Sequence, residues 1–466
     1  MAETTFELPG TQHRLSRRIG DIGFEPRLLA RKLMMIGVLF LFSGTHNVLT
    51  ILAPGAAAPD PNASPDVTVG GVAESDAIPG PLKVVVWCVV GMAMAASQAG
   101  RILRLAARSP LLTGLAVLGL ASTLWSDNPA ESWSHGLSLL LTTLVAFFFC
   151  VEYEPQAQME ILVAIGWLAA LASIYVAIFL PEFGVDQVYN LGEWRGIFAQ
   201  KNACAAAMLL FLTPLFSSKG KALSLASGAY CLTVLFVLAK TQSRNGWIVA
   251  VALVFTMVGV RWLAQFRAKD RLALFAMTLW FVGAASLTLG AASATLLPML
   301  GRDATFTGRK GIWDTALAAI AERPLLGYGF RAFWTGPNAR SVVMYGVAAI
   351  KHAHNGLLEL WLGVGLFGVL MFLFSLFVAV RDIATCLRPG RPGYVDWYVG
   401  TILAVVYFSV AEPFLVMDRS LSWVLYVVAC VGLHRQAELE RENKRRSLGA
   451  PQLDLGAQPI YAAASQ

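Results

Sequence analysis

The chain has 466 residues, 56% of them hydrophobic and 14% charged, with a mean hydropathy of +0.61. Soluble domains carry roughly 25% charged residues, so a water-facing surface is excluded for much of the molecule and a lipid-facing one is expected. The net charge of +7 reads as the Lys and Arg surplus that membrane proteins keep on their inner side, not as a nucleic-acid footprint.

The first segment, 1–32, is polar and basic, with Arg14, Arg17, Arg18, Arg27, Arg31 and Lys32. It is expected in the cytoplasm, and the apolar run after it is long enough to span a bilayer instead of being cleaved as a leader. Apolar runs follow at 33–52, 82–100, 110–125, 134–151, 160–180, 200–217, 222–239, 246–263 and 272–296. After a break they resume at 355–380, 395–411 and 420–433, the third and twelfth being the weakest. At roughly 20 residues per crossing this is an all-α polytopic membrane protein of about 12 transmembrane helices. Nine lie in 33–296 and three in 354–433. Basic clusters at Arg101, Arg104 and Arg108, at Lys219 and Lys221, at Arg267, Lys269 and Arg271, at Arg381, Arg388 and Arg391, and at Arg441 to Arg446 fall on the same side as the N-terminus, which puts both termini inside. The charged tail 434–466 is expected to be a disordered cytoplasmic segment. Six scattered cysteines, most of them in apolar runs, read as small packing residues without a disulfide framework.

Two outer loops are long. Residues 53–81, rich in Ala, Pro, Gly and Asp, read as a connector. The loop 297–353 carries Arg302, Arg309, Lys310, Arg323, Arg331, Arg340 and Lys351 on the side where basic residues should be scarce, and binding an anion explains them most plainly. Within it, Thr307 to Trp313 leads into a short amphipathic helix with Ile312, Trp313, Ala316, Leu317 and Ile320 on one face, ended near Arg323 by Pro324. Arg309 and Lys310 oppose the helix dipole unless an anion sits at that N-terminus; the alternative is a solvated loop with interfacial cations.

Where the loop re-enters the membrane stands Lys351-His352-Ala353-His354-Asn355-Gly356-Leu357-Leu358-Glu359. His354, at the start of the tenth helix, is a candidate general base because the positive dipole end favours a neutral imidazole; a capping or interfacial polar residue is the plainer alternative. The His-X-His pair invites a zinc reading, but sequence spacing supplies no third ligand, so no metal is assigned. Glu193-Trp194-Arg195-Gly196, Gln200-Lys201-Asn202 and the turn Lys240 to Gly246, which contains Arg244, add cationic sites on the same face. Singly these are snorkelling anchors; together they suit a diphosphate, which the planar Arg fork grips with paired donors.

His354-Asn355-Gly356-Leu357-Leu358-Glu359-Leu360-Trp361 followed by Gly365-Leu366-Phe367-Gly368 resembles the signature of the O-antigen ligase and Wzy-type polymerase superfamily. Arg309 with Trp313, Pro324-Leu325-Leu326-Gly327-Tyr328-Gly329, Arg195-Gly196 and Ser243-Arg244 match it in the same order. Trp194 to Asn202 looks most like the succinoglycan-type exopolysaccharide polymerase branch. The resemblance implies a GT-C-like helical fold with a large periplasmic loop between helices 9 and 10, in the bacterial cytoplasmic (inner) membrane. It implies a glycosyltransferase that needs no metal or other cofactor, polymerising undecaprenyl-diphosphate-linked repeat units by inversion on the outer face. Its partners would be lipid-linked glycan donor and acceptor, the bilayer, a chain-length regulator and export machinery. Arg195, Arg244 and Arg309 would bind the diphosphate and His354 would deprotonate the acceptor hydroxyl; Lys201, Lys310, His352 and Glu359 are secondary candidates. A ligase moving finished glycan to lipid A core or protein is the alternative enzyme. A secondary transporter, for which Glu412-Pro413 near the end of a span would speak, is the alternative of another class.

Overall fold

A computed structural model describes residues 26–44, 96, 98–187, 191–218, 224–266, 309–335 and 352–448. The expected ninth span, nearly all of the second, the connector 53–81 and the stretches 297–308 and 336–351 lie outside the described residues. The regular structure among the described residues is helical, apart from one isolated bridge between Val185 and Trp194. The helices are α1 (Pro26–Phe42), α2 (Ala99–Arg108), α3 (Pro110–Ala121), α4 (Pro129–Glu152), α5 (Pro155–Phe179) and α6 (Lys201–Leu212). They continue as α7 (Leu225–Lys240), α8 (Arg244–Leu263), α9 (Arg309–Glu322), α10 (Gly356–Cys386), α11 (Gly393–Ser409) and α12 (Leu421–Ser447).

α12 is enclosed by α4, α10 and α11, and Trp423, Tyr426 and Val427 are fully buried on successive faces of it. The outer helices turn large apolar residues outward instead: Ile248, Val254, Phe255 and Val258 on α8, Phe374 and Phe377 on α10, and Tyr175 and Phe179 on α5 are more than half exposed. An apolar belt of that extent on a core already closed makes sense only against lipid. The protein is an integral membrane protein.

Four described helices, α4, α5, α8 and α10, are long and apolar enough to cross a bilayer alone, and α2 with α3 makes a fifth only as a pair bent by 99°. Of the remaining runs, those in α1, α6, α7 and α11 form shorter helices, and the last opens the long, partly charged α12. The break after α2 has a local cause: Pro110 keeps Ser109 out of helical geometry, and Ser109 sits at φ −120°, ψ 57°. Arg101, Arg104 and Arg108, read above as a basic cluster on the inner side between two spans, therefore belong to a separate amphipathic helix. α6 tightens into a 3-10 turn over Thr213–Ser218, where Pro214 cannot donate to the α-helical ladder. The tail differs from expectation as well. α12 runs on to Ser447 because its charged end packs back on α10, with Arg441 and His434 on Asp382 (2.6 and 2.7 Å) and Arg388 on Glu440 (2.7 Å).

Candidate functional site at one end of the helices

α10 does not run straight. Gly365 has φ 67° and ψ −167°, a conformation that only glycine adopts without strain, and a Cβ there would strike the carbonyl of Leu325. The break frees carbonyls of α10, and the segment Pro324 to Gly329 takes them: Tyr328 N–H donates to Leu362 O (2.8 Å) and Gly329 N–H to Gly363 O (3.0 Å). In return, Leu366 N–H and the Trp361 indole donate to Pro324 O, each at 2.9 Å. α9 is fastened to the same place, with Ala316, Ala319 and Ile320 buried against Tyr328, Phe333, Trp334 and Leu362. Leu317 departs from the expected apolar face and is 52% exposed, because the packed stripe runs through Ala316, Ala319 and Ile320, one position away. Arg309 and Lys310 open α9, but their side chains lie outside the described residues.

This packing holds the histidine turn. Asn355 caps α10 by accepting from Leu357 and Leu358 N–H (2.9 and 3.1 Å) and donates to Val410 O at the end of α11 (3.2 Å). Glu359 reaches back one turn to accept Ala353 N–H (2.8 Å) and the Trp334 indole (3.1 Å), and Trp313 donates to Ala353 O (3.0 Å). His354, between these anchors, takes φ 49°, a left-handed conformation that costs a side-chain-bearing residue of order 1–3 kcal/mol. Its ring meets that of His352 edge to face, centroids 4.2 Å apart.

Nδ1 of His354 lies 3.5 Å from Oε2 of Glu412, which is buried just past α11. The other oxygen of Glu412 accepts from Asn202 Nδ2 (2.7 Å), and Asn202 Oδ1 accepts from the Ser243 hydroxyl (2.8 Å). Ser243 is the N-cap of α8 and takes Gly246 N–H at 3.1 Å. Sequence reasoning singled out Lys201 and Arg244; the residues that connect to the histidine are their neighbours Asn202 and Ser243. Glu412 carried a sequence signal, a carboxylate beside an apolar run, but was read as a transport feature. It also supplies the third ligating group that sequence spacing lacked, since one ligand atom each from His352, His354 and Glu412 lie within 4.8 Å of one another.

The cations divide. Arg244 is exposed and makes no ion pair among the described residues. Arg195 instead donates through Nε to Phe183 O (2.7 Å) and through Nη2 to Glu182 O (3.0 Å). Burial lowers its pKa against the pull of Asp186, and it stays a cation. Gly196 beside it has φ 59°, and a Cβ would come 2.5 Å from the side chain of Ser173 on α5, so Arg-Gly here fixes a tight approach to α5. Lys201 pairs with Glu193. Lys240 lies over the Trp194 ring at 5.6 Å.

A second polar cluster, not foreseen, adjoins the first through Glu359. Arg331 faces Glu359 (3.8 Å) and Asp418 (3.6 Å), and Asp418 also takes His135 Nδ1 (3.0 Å) and Arg419 Nε (3.1 Å). Burial opposes ionisation of Asp418, but His135, Arg419 and Arg331 outweigh it and hold its carboxyl well below the usual carboxylate range.

The fold and site define an all-helical membrane protein with a strained, carboxylate-flanked histidine and arginines at one end of its helices. Residues 229–373 match the Wzy_C family model, described as O-antigen ligase; this range takes in Arg244, Arg309, His352, His354 and Glu359. The chain is similar to the exopolysaccharide production protein ExoQ of Rhizobium meliloti (strain 1021), 25% identical over 268 residues, 55% of this chain and 60% of the relative. It is also similar to the O-antigen ligase of Salmonella typhimurium (strain LT2), 24% identical over 208 residues, 42% of this chain and 50% of the relative. The matches thus span between half and three fifths of those proteins' lengths. The resemblance to the O-antigen ligase and Wzy-type superfamily holds.

Proposed function

We propose that the protein is a polysaccharide polymerase. It takes a glycan from undecaprenyl diphosphate at the outer face of the cytoplasmic membrane and passes it to a sugar hydroxyl on a second lipid-linked repeat unit. The observation that carries this reading is the His354 turn: an imidazole in strained backbone, its Nδ1 facing buried Glu412, with Arg331 reaching the same turn through Glu359. A carboxylate facing Nδ1 favours the tautomer with the ring proton on Nδ1, and Nε2 is then the acceptor. The acceptor oxygen attacks the anomeric carbon while its proton passes to Nε2. The bond to the diphosphate oxygen breaks, and the lipid diphosphate leaves with the electron pair. Single displacement inverts the anomeric centre. Arg244, Arg309 and Arg195 stabilise the charge that develops on the leaving group, where fixed cations are most effective.

A ligase shares donor and clamp, and the description of the matching family favours it. Support for the polymerase comes from the exopolysaccharide relative and from the Trp194 to Asn202 segment. Purified protein in liposomes with undecaprenyl-diphosphate repeat units separates the two. A ladder of lengthening glycans is expected. Transfer of preformed glycan to added lipid A core, without a ladder, would replace the polymerase reading with the ligase.

A further inference from the structure

We propose that His352, His354 and Glu412 form a binding site for one divalent transition-metal ion of the zinc type, and that occupancy of this site switches glycosyl transfer off. Two imidazoles and a carboxylate are a donor set that suits zinc and its neighbours, not magnesium or calcium, which demand oxygen ligands. The three ligating atoms already lie within 4.8 Å of one another, and the His354–Glu412 pair stands at 3.5 Å. Zinc holds nitrogen and oxygen ligands at roughly 2.0–2.1 Å, which places tetrahedral ligand atoms about 3.4 Å apart. Rotation of the His352 ring, in edge-to-face contact with that of His354, is the main adjustment required.

The surroundings are built as a metal site's outer shell would be. Glu412 is oriented by Asn202, and Asn202 by Ser243. The backbone between the two histidines is held by Glu359 and Trp313. Such supports fix ligand geometry ahead of binding. Glycosyl transfer itself uses His354 as a base, so ion and reaction compete for one ring.

The regulatory half rests on the reading of His354 as the base. An ion on Nδ1 leaves the proton on Nε2, and the ring then has no lone pair with which to accept the hydroxyl proton. The ion would also neutralise the carboxylate that orients the imidazole. Transfer is expected to be zinc-inhibited and restored by chelation.

The test uses full-length purified protein in detergent, freed of metal by a chelator and titrated with cobalt(II), followed by its visible absorption and then by displacement with zinc. One saturable cobalt per chain is expected. His352→Ala and Glu412→Gln should each weaken it by about tenfold or more; Glu412→Gln preserves shape and an acceptor for Asn202, and thermal unfolding of both variants verifies folding. No saturable binding by the wild-type chain, or unchanged affinity in both folded variants, overturns the site. Zinc should stop transfer by the wild-type chain with the midpoint found for binding. Binding with undiminished transfer would leave the metal site standing and overturn the switch, and with it the role of His354 as base.

Discussion

His354, Arg331, Arg419, Val416 and Gln242 are the described residues other than glycine with positive φ, and all five stand in or beside the two polar clusters. Strain gathered in this way persists only where neighbours over-determine it, as Asn355 and Glu359 do for His354. The arginines differ in what they are free to do, and variants should sort them. Arg244→Ala is expected to lower turnover without moving the unfolding temperature, since its guanidinium makes no ion pair among the described residues. Arg195→Lys is expected to lower both, because a lysine cannot replace two directed bonds to the Phe183 and Glu182 carbonyls, each worth about 1.5–3 kcal/mol for a charged donor. Thermal unfolding in detergent beside a transfer assay checks the pair; equal stability of the two variants would count against the division. The His354 turn was legible from the chain because it lies in a short motif. Glu412 was not, since its meaning comes from Asn202 and His354, brought to it by packing from distant parts of the chain.

Among the elements, α10 depends on its break. Pro324 reads in the sequence as the stop of the helix before it, and α9 ends at Glu322; that the segment to Gly329 supplies donors to carbonyls released at Gly365 is a matter of tertiary placement that no local pattern encodes. Gly365→Ala should therefore lower the unfolding temperature by detaching this segment, and transfer with it, because α9 and the histidine turn rest on the same contacts. A variant as stable and active as the wild-type chain would mean that α10 closes without the segment. The periodicity located α9 to within a residue at its end but misplaced Leu317, since an alanine-rich helix leaves the choice of buried stripe to its partner. The helix α2 was hidden by its own arginines, which read as a basic cluster between spans until Pro110 is seen to turn the chain.

Across the whole molecule, charged side chains collect at the two ends of the described helices. His354, Glu412, Asp418 and the arginines around them lie at one end; Asp382 with Arg441, Asp396 with Arg391 and Arg261, and Glu152 with Arg31 lie at the other. A transporter is expected to carry such groups near mid-membrane, and the pairing of Glu412 with the histidine turn accounts for the one residue that favoured transport. The Asp418 cluster ties α4 to the loop before α12. Arg331, Arg419 and His135, each partly buried, share this carboxylate, so Asp418→Asn should lower the unfolding temperature. Because the folded pKa is depressed, this stabilisation is present above the ordinary carboxylate range and is lost only as pH falls through the lower, folded value. Unfolding midpoints of both proteins at neutral and mildly acidic pH should keep their separation, and a gap that closes in mild acid would contradict it.

The measurement closest to the central claim is the turnover of His354→Ala beside the wild-type chain, reconstituted with undecaprenyl-diphosphate repeat units in the presence of a chelator. A loss of about 10²–10⁴-fold, with insertion and unfolding temperature unchanged, is the expected result for a general base; a folded variant that transfers at the wild-type rate would contradict it.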